Sequence, residues 1–155
     1  MRTTKCGFND VPGGASGAEL LVTYGPTLLV NIGFDPSFRP AQTNAPKAGI
    51  SGIQALLDTG AGESCIDSLL AAQLNLPIVD RQTVAGVGGS HTVNMHLAQV
   101  AVPSLGVTIH GKFAGVHLAA GGMRHQALIG RTFLRAFEFT MVYEGATGTV
   151  TLTAP

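Results

Sequence analysis

The sequence predicts an all-β domain of the sandwich or barrel type with one or two short helices. Short runs rich in β-branched and aromatic residues follow one another along the chain, separated by Gly-containing turns every 8 to 12 residues or so. Only one segment has a convincing helical period. The length of 155 residues suits one domain with a sizeable core, and there is no internal repeat.

The N-terminal part of the chain is expected to precede the compact domain. Residues 1–17 are rich in Gly and polar side chains and predict a loose N-terminal arm ahead of a single domain over 18–155. Residues 18–34 contain two β-rich runs around Tyr24-Gly25-Pro26. Turn chemistry of this kind predicts a β-hairpin.

The central part of the chain predicts a loop, a strand and a helix. Residues 35–49 contain three prolines, which disfavour both helix and central strand, so a long surface loop is expected. A strand then ends at Leu57. Ser64 and Asp67 have the spacing of a capping box, and an apolar stripe follows it at helical spacing, formed by Ile66, Leu69, Leu70 and Leu74. Pro77 is expected to end this helix.

The remainder of the chain returns to β-structure. Two β-rich runs flank Gly88-Gly89 and predict a hairpin. The segments that follow are, in order, a strand pair or one long bent strand over 106–119, a short apolar strand over 126–130, one helical turn over 131–137, and a closing hairpin around Glu144-Gly145.

Composition limits the classes of partner. Nine Lys and Arg residues balance nine Asp and Glu residues, charged residues make up only 12% of the chain, and there is no basic run. This pattern argues against nucleic acid as the main partner. A surface so poor in charge is typical of a protein with an apolar patch that another subunit covers, which favours an oligomer.

The chain has no feature of an exported or membrane-spanning protein. Its two cysteines, Cys6 and Cys65, do not make a disulfide framework, so a reducing compartment is expected. The N-terminus lacks the apolar core of a signal peptide, and no apolar run reaches 18 residues. These observations predict a cytoplasmic protein with no membrane span, or a soluble domain cut from a longer protein.

Several suggestive patterns do not hold up as sites. The five histidines are scattered, so no metal site is predicted. The segment GVTIHGKF (106–113) has the Gly and Lys spacing of a phosphate loop, but Phe113 stands where Ser or Thr is required. A Cys-His pair involving Cys65 is conceivable, but its predicted place on the apolar helix favours inert packing.

The stretch Asp58-Thr59-Gly60-Ala61 is the remaining candidate for a chemical role. It follows the apolar run Ala55-Leu56-Leu57, and a carboxylate at the end of a buried strand is costly unless hydrogen bonds or a partner offset the cost. One explanation is an Asx-turn at the strand end. The other is that the Asp58 carboxylate takes part in a chemical reaction, and the surrounding segments decide between the two.

Those segments resemble the retropepsin-like aspartic proteases, the single-domain family that includes retroviral proteases and bacterial relatives. Asp58-Thr59-Gly60-Ala61 resembles the catalytic loop, Gly86-Val87-Gly88-Gly89 lies where the family has its flap, and ALIGRTFL (127–134) resembles the second family signature. The resemblance implies a retropepsin-like (acid protease) fold, a closed or partly open β-barrel. The length of the chain before Asp58 and after Gly130 looks closer to bacterial than to retroviral members.

The resemblance implies a peptide hydrolase without cofactor or metal. Each chain contributes one Asp58, so a homodimer is needed to form the dyad in which two carboxylates share a proton. The implied catalytic residues are Asp58, Thr59 and Gly60. The implied substrate-binding residues, which contact a peptide or protein substrate, are Ala61, Gly62, Val87, Gly88 and Gly89. Structural support is assigned to Leu128, Ile129, Gly130 and Arg131.

The chain also departs from the retroviral pattern. Gly62 stands where those enzymes usually have an Asp that pairs with the Arg of the second signature, so Arg131 is expected to lack an obvious partner. The longer C-terminal segment implies that dimer contacts are built differently. Two alternatives therefore stay open: a catalytically inactive dimerisation or peptide-binding module of the same fold, and a monomeric small-ligand-binding barrel.

Overall fold

The computed structural model describes residues 1–41, 45–47 and 49–155. These residues form ten strands: β1 (Arg2–Lys5), β2 (Thr27–Gly33), β3 (Ile50–Leu57), β4 (Cys65–Asp67), β5 (Ile78–Gly86), β6 (Gly89–Val102), β7 (Val107–Val116), β8 (Ala127–Ile129), β9 (Thr140–Glu144) and β10 (Thr149–Ala154). They also form three short helices: α1 (Gly17–Tyr24), α2 (Ser68–Gln73) and α3 (Arg131–Ala136).

Six of the strands close into a barrel. The large sheet has the order β2-β3-β8-β4-β7-β6-β5, and β2 also pairs with β6, so the ring runs through β2, β3, β8, β4, β7 and β6. The pairs β3–β8 and β4–β7 are parallel and the other pairs are antiparallel. Strand β5 stays outside the ring and pairs only with β6 within the described sheet. The prediction of an all-β barrel with short helices is confirmed.

The barrel encloses the apolar core. Along β2, Leu28, Val30 and Ile32 are buried whereas Leu29 between them is 59% exposed, which is the alternation expected of a strand with one face inside. Phe113 of β7 stacks on Phe133 of α3 with 5.1 Å between ring centroids. This stack fixes α3 against the barrel wall.

A second, three-stranded sheet joins the two ends of the chain. Its order is β1-β10-β9, and Arg2 pairs with Ala154. Cys6 is fully buried, as is Leu152 of β10. The expectation of a loose arm over 1–17 is therefore wrong for its first residues, because β10 supplies the hydrogen-bond partners that this short polar segment cannot supply alone.

The first helix replaces a predicted strand. Residues 17–24 form α1 rather than the first half of a hairpin. The Ser16 hydroxyl accepts a hydrogen bond from the Glu19 amide at 3.2 Å, and the Glu19 carboxylate accepts one from the Ser16 amide at 3.0 Å. This capping box satisfies two amide groups at the helix start and outweighs the strand preference of Val22 and Thr23.

The predicted central helix begins one turn later than expected. Cys65–Asp67 is strand β4, held between β7 and β8, and α2 starts at Ser68 with Asp67 as its N-cap. The buried carboxylate of Asp67 accepts hydrogen bonds from the amides of Leu70, Leu118 and Ala119. Pairing on both edges of β4 is available only in the folded chain and outweighs the local helical signal.

The remaining predicted elements are present, with one choice resolved. The hairpin around Gly88-Gly89 is β5–β6, residues 107–116 form one strand rather than a pair, and the closing hairpin is β9–β10. Part of the predicted proline-rich loop, residues 42–44 and 48, lies outside the described residues. No helix in the described part of the chain is long and apolar enough to cross a membrane.

Candidate functional site

Asp58 lies at the point where β3 leaves the barrel. Leu57 pairs with Ile129 of β8, and the Asp58 amide donates to the Ile129 carbonyl at 2.9 Å. Its carboxylate is half-buried, and Oδ1 accepts a hydrogen bond from the Gly60 amide at 2.9 Å. This is the local bond of an Asx-turn, so the turn-forming role and a chemical role for Asp58 are compatible. Thr59 and Gly60 are exposed.

The segment Leu128-Ile129-Gly130 packs next to the Asp58 loop and supports it. Leu128 and Ile129 belong to β8 in the barrel wall. The Gly130 amide donates to the hydroxyl of Ser64 at 2.8 Å, and Ser64 is fully buried. A Cβ at position 130 would lie 2.6 Å from the Glu63 carbonyl oxygen, a contact that real side chains do not make. Glycine at 130 therefore lets two backbone segments touch.

Ser64 is a supporting residue that the sequence analysis assigned differently. Its Ser-x-x-Asp pattern suggested a helix cap, whereas its hydroxyl serves the Gly130 amide across the loop. The sequence contains one hint of this supporting role: Ser64 is a small residue with a hydroxyl group and closely follows Asp58-Thr59-Gly60-Ala61. The partner 66 residues away is supplied only by the fold.

Arg131 has a partner, which corrects the expectation that it lacks one. Its Nη1 donates to the Thr59 carbonyl oxygen at 2.7 Å. The Arg131 amide donates to the Ala61 carbonyl, and the Thr132 amide to the Gly62 carbonyl. Position 62 bears no carboxylate, so the guanidinium bonds to the main chain instead. The start of α3 thus holds the Asp58 loop by its carbonyl groups.

The hairpin β5–β6 extends beyond the barrel and ends in a glycine turn. Gly86 pairs with Gly89 across the turn, and Gly89 has a φ of 102°, a backbone conformation that favours glycine. Val87 at the tip is fully exposed. Because β5 pairs only with β6 in the described sheet, the tip is free of the packing that holds the barrel.

A cleft of about 520 Å³ lies between the Asp58 loop and this hairpin. One wall is the loop itself, Gly60 to Glu63, and the opposite wall is β5 with His91 of β6. Cys65, Val116 and Leu128 line the rest. The cleft therefore brings together the predicted residues Gly60, Ala61, Gly62 and Leu128. The hairpin tip, Val87 to Gly89, is not part of its lining.

Cys65 lies in the cleft wall on β4, not on the predicted helix. Burial, together with the negative charges of the nearby Glu63 and Asp58, raises the pKa of its thiol to about 11. A thiol with that pKa is protonated at neutral pH and is a poor nucleophile. The described residues contain no group of three or more His, Cys, Asp or Glu side chains arranged to hold a metal ion.

Of three comparisons with known proteins, only that with solved structures gives a match. No protein-family model matches the chain, and no curated protein matches it. Among solved structures, the chain is similar to EIAV protease complexed with the inhibitor HBY-793, with a TM-score of 0.48 and 19% sequence identity. The alignment covers 76% of this chain and 91% of that chain.

Proposed function

We propose that this protein is an aspartic endopeptidase of the retropepsin-like type, active as a homodimer. The observation that carries the proposal is the placement of Asp58. Gly60 and Ala61, which follow it in the same loop, line one wall of a cleft, and the opposite wall is formed by β5 and His91 of the projecting hairpin. The same loop is held by backbone hydrogen bonds from Arg131 and Thr132, which keep the carboxylate in a fixed position.

The chemistry requires two carboxylates. Peptide hydrolysis without a metal or a side-chain nucleophile needs one group to remove a proton from water and another to give a proton to the leaving nitrogen. Two adjacent carboxyl groups that share one proton supply both, because like charges a few ångströms apart do not both ionise. Each chain has one Asp58, so a two-fold axis through this loop completes the pair.

The reaction then proceeds by proton transfers within this pair. The ionised Asp58 takes a proton from water, whose oxygen attacks the scissile carbonyl carbon. The protonated Asp58 of the second copy donates its proton toward the carbonyl oxygen, which gives a neutral gem-diol. Collapse of that intermediate breaks the C–N bond: the carboxyl that took the proton from water gives it to the leaving nitrogen. The other carboxylate takes a proton from a gem-diol hydroxyl as the carbonyl re-forms, so the pair again holds one proton.

The β5–β6 hairpin lies beside the cleft, where it can close over an extended peptide. A substrate lying along the cleft would run beside β5 as an added strand, with alternate side chains directed into the walls. Closure of the tip over the peptide excludes water from the reacting atoms. In this proposal Val87, Gly88 and Gly89 reach the substrate only in the closed state. Closure would bury the exposed apolar side chain of Val87 against the substrate.

A second function is favoured by one observation. The Asp58 carboxylate accepts a hydrogen bond from the Gly60 amide within its own loop. A single chain can therefore hold this aspartate as a turn residue. This suits a catalytically inactive module that binds a peptide strand or dimerises. The two proposals differ in whether Asp58 is needed for hydrolysis or only for the shape of the loop.

The deciding experiment is cleavage of a mixed peptide library at pH 4 to 8 by wild type and Asp58→Asn. Asparagine keeps the size of the side chain and its acceptor oxygen for Gly60, so the loop is retained while acid–base chemistry is lost. We expect a fall of at least 1000-fold in kcat/KM, on the scale of losing a catalytic group. Asp10→Asn removes the same charge at the N-terminal edge and is the matched control.

The oligomeric state is measured on the same samples by sedimentation velocity. Wild-type activity per milligram is expected to fall on dilution as the dimer dissociates, because one chain holds half of the pair. Cleavage that persists in Asp58→Asn contradicts the proposal. A stable dimer that binds peptides without cleaving them supports the inactive module instead.

A further inference from the structure

We propose that the cleft continues into a basic subsite that selects substrates with an Asp or Glu side chain close to the scissile bond. This inference rests on the proposed function, because it names the substrate class of the same cleft. It concerns a second cavity, of about 590 Å³, which we term the basic subsite. Its lining includes Ser68, Arg81, His91, Asn94, Val116 and His117.

The basic subsite is continuous with the cleft. Val84, His91 and Val116 line both cavities. A peptide that lies against the Asp58 loop therefore reaches the basic subsite without leaving the protein surface. A strand advances about 3.3 Å per residue and alternates its side chains, so a residue near the scissile bond can direct its side chain there.

The subsite exists because two barrel strands diverge. Strands β6 and β7 pair from Val102–Val107 up to Met95–Ala114. Beyond that pair β6 continues toward the hairpin tip beside β5, while β7 continues to Val116 beside β4. The gap between the diverging strands is the cavity, so its walls are formed by residues 91–94 and 115–117.

The charge of the lining is one-sided. Arg81, His91 and His117 are basic, and none of the lining residues that the structure describes is Asp or Glu. The Arg81 guanidinium is held by its Nε, which donates to the Asn94 side chain at 3.3 Å. The salt bridge found among the described residues joins Lys112 and Asp80. Arg81 takes no part in it. Its charge is therefore available to a ligand.

A second basic group is also oriented by the protein. Ser68 and His117 are joined by a hydrogen bond of 2.9 Å between the Ser68 hydroxyl and Nδ1 of His117. This bond fixes the ring and leaves Nε2 for another partner. A carboxylate is the side chain that such a site favours, because arginine forms charge-assisted hydrogen bonds with it. A lysine at the same substrate position is repelled.

The test uses three peptides that differ at one residue near the cleaved bond, which is Glu, Gln or Lys. Binding of each peptide is measured by fluorescence anisotropy on Asp58→Asn, which does not require cleavage, and kcat/KM is measured on the wild type. We expect the Glu peptide to exceed the Gln peptide about tenfold in both measurements. Arg81→Gln is expected to reduce this ratio to about twofold or less, because the Glu peptide loses its charge-assisted hydrogen bond.

The matched control is Arg135→Gln, which removes the same charge from an exposed position on α3. Arg81→Lys keeps a positive charge and is expected to retain part of the preference. If the Gln peptide is cleaved and bound as well as the Glu peptide, the subsite is overturned while the protease stands. If the Glu peptide binds preferentially through Arg81 without any cleavage, the subsite stands and the proposed function fails.

Discussion

Asp58 depends on neighbours that are distant in sequence. Its loop is attached to Ile129 through the Asp58 amide, to Gly130 through the Ser64 hydroxyl, and to Arg131 through the Thr59 carbonyl. The bond to Ser64 pairs the amide of the buried Gly130, which would otherwise be left unsatisfied. The position of the carboxylate is thus set by main-chain hydrogen bonds more than by contacts of its own side chain.

Ser64→Ala tests this support at a single atom. The substitution removes the acceptor of the buried Gly130 amide, so we expect the free energy of unfolding to fall by about 1–3 kcal/mol and the peptidase activity to fall with it. Ser104→Ala, at an exposed turn, is the control and should change neither. Urea denaturation with a parallel activity assay measures both quantities. An unchanged midpoint for Ser64→Ala would show that another acceptor replaces the hydroxyl.

The candidate site residues that the sequence predicts share one property: their signal is local. The Asp58 motif, the glycine turn at 86–89 and the short signature before α3 can each be read from a few consecutive residues. The bond that Arg131 makes to Thr59 and the true role of Ser64 were missed, because each joins segments more than 60 residues apart. No local pattern specifies such a partner.

At the scale of secondary-structure elements, the same distinction separates correct predictions from wrong ones. The hairpins β5–β6 and β9–β10 were predicted because their turns lie between their own strands. Strand β1 was missed because its partner is β10 at the other end of the chain. The start of α2 was misplaced because β4 is a strand only when β7 and β8 flank it.

The hairpin turn allows a matched test of conformation against bulk. Gly89 has a φ of 102°, whereas a Cβ at Gly88 would make an ordinary contact of 3.9 Å with Nε2 of His91. Gly89→Ala therefore strains the turn by about 1–2 kcal/mol, and Gly88→Ala does not. We expect kcat/KM to fall about tenfold in Gly89→Ala only. The melting temperatures of both should stay near wild type, because the tip is exposed and opens locally.

This comparison isolates the backbone of the hairpin, since both variants add the same methyl group. Circular dichroism melts and peptide cleavage are measured on the two proteins side by side. Equal losses in both variants would mean that added volume at the tip, rather than backbone strain, reduces activity. No loss in either would argue against a hairpin that closes on the substrate.

At the scale of the whole molecule, stability should depend on pH through His125. This imidazole is buried, and its Nε2 lies 2.7 Å from the hydroxyl of Thr27. Burial, and then the positive charge of Arg124, lower the pKa of His125 below its ordinary 6.5. The unfolded chain therefore binds a proton at a higher pH than the folded chain, so this contribution is complete above about pH 6.5 and is lost as pH falls.

The melting temperature of the wild type is thus expected to decrease from pH 7 to pH 5. His125→Gln cannot titrate and should show a smaller decrease over the same range, whatever its absolute stability. His91→Gln, which changes an exposed histidine, should keep the wild-type slope. Parallel slopes in all three proteins would show that His125 does not govern stability in this range.

The pairing of β1 with β10 also has a consequence for the order in which the protein forms. Strand β1 precedes its partner by about 150 residues, so it emerges from the ribosome early and must wait until residues 149–154 have been synthesised. The barrel strands that carry Asp58 and the hairpin are translated in between. Released chains that end just before residue 149 should therefore contain the cleft segments but leave Arg2–Lys5 accessible to protease, and released chains that extend through Ala154 should protect them.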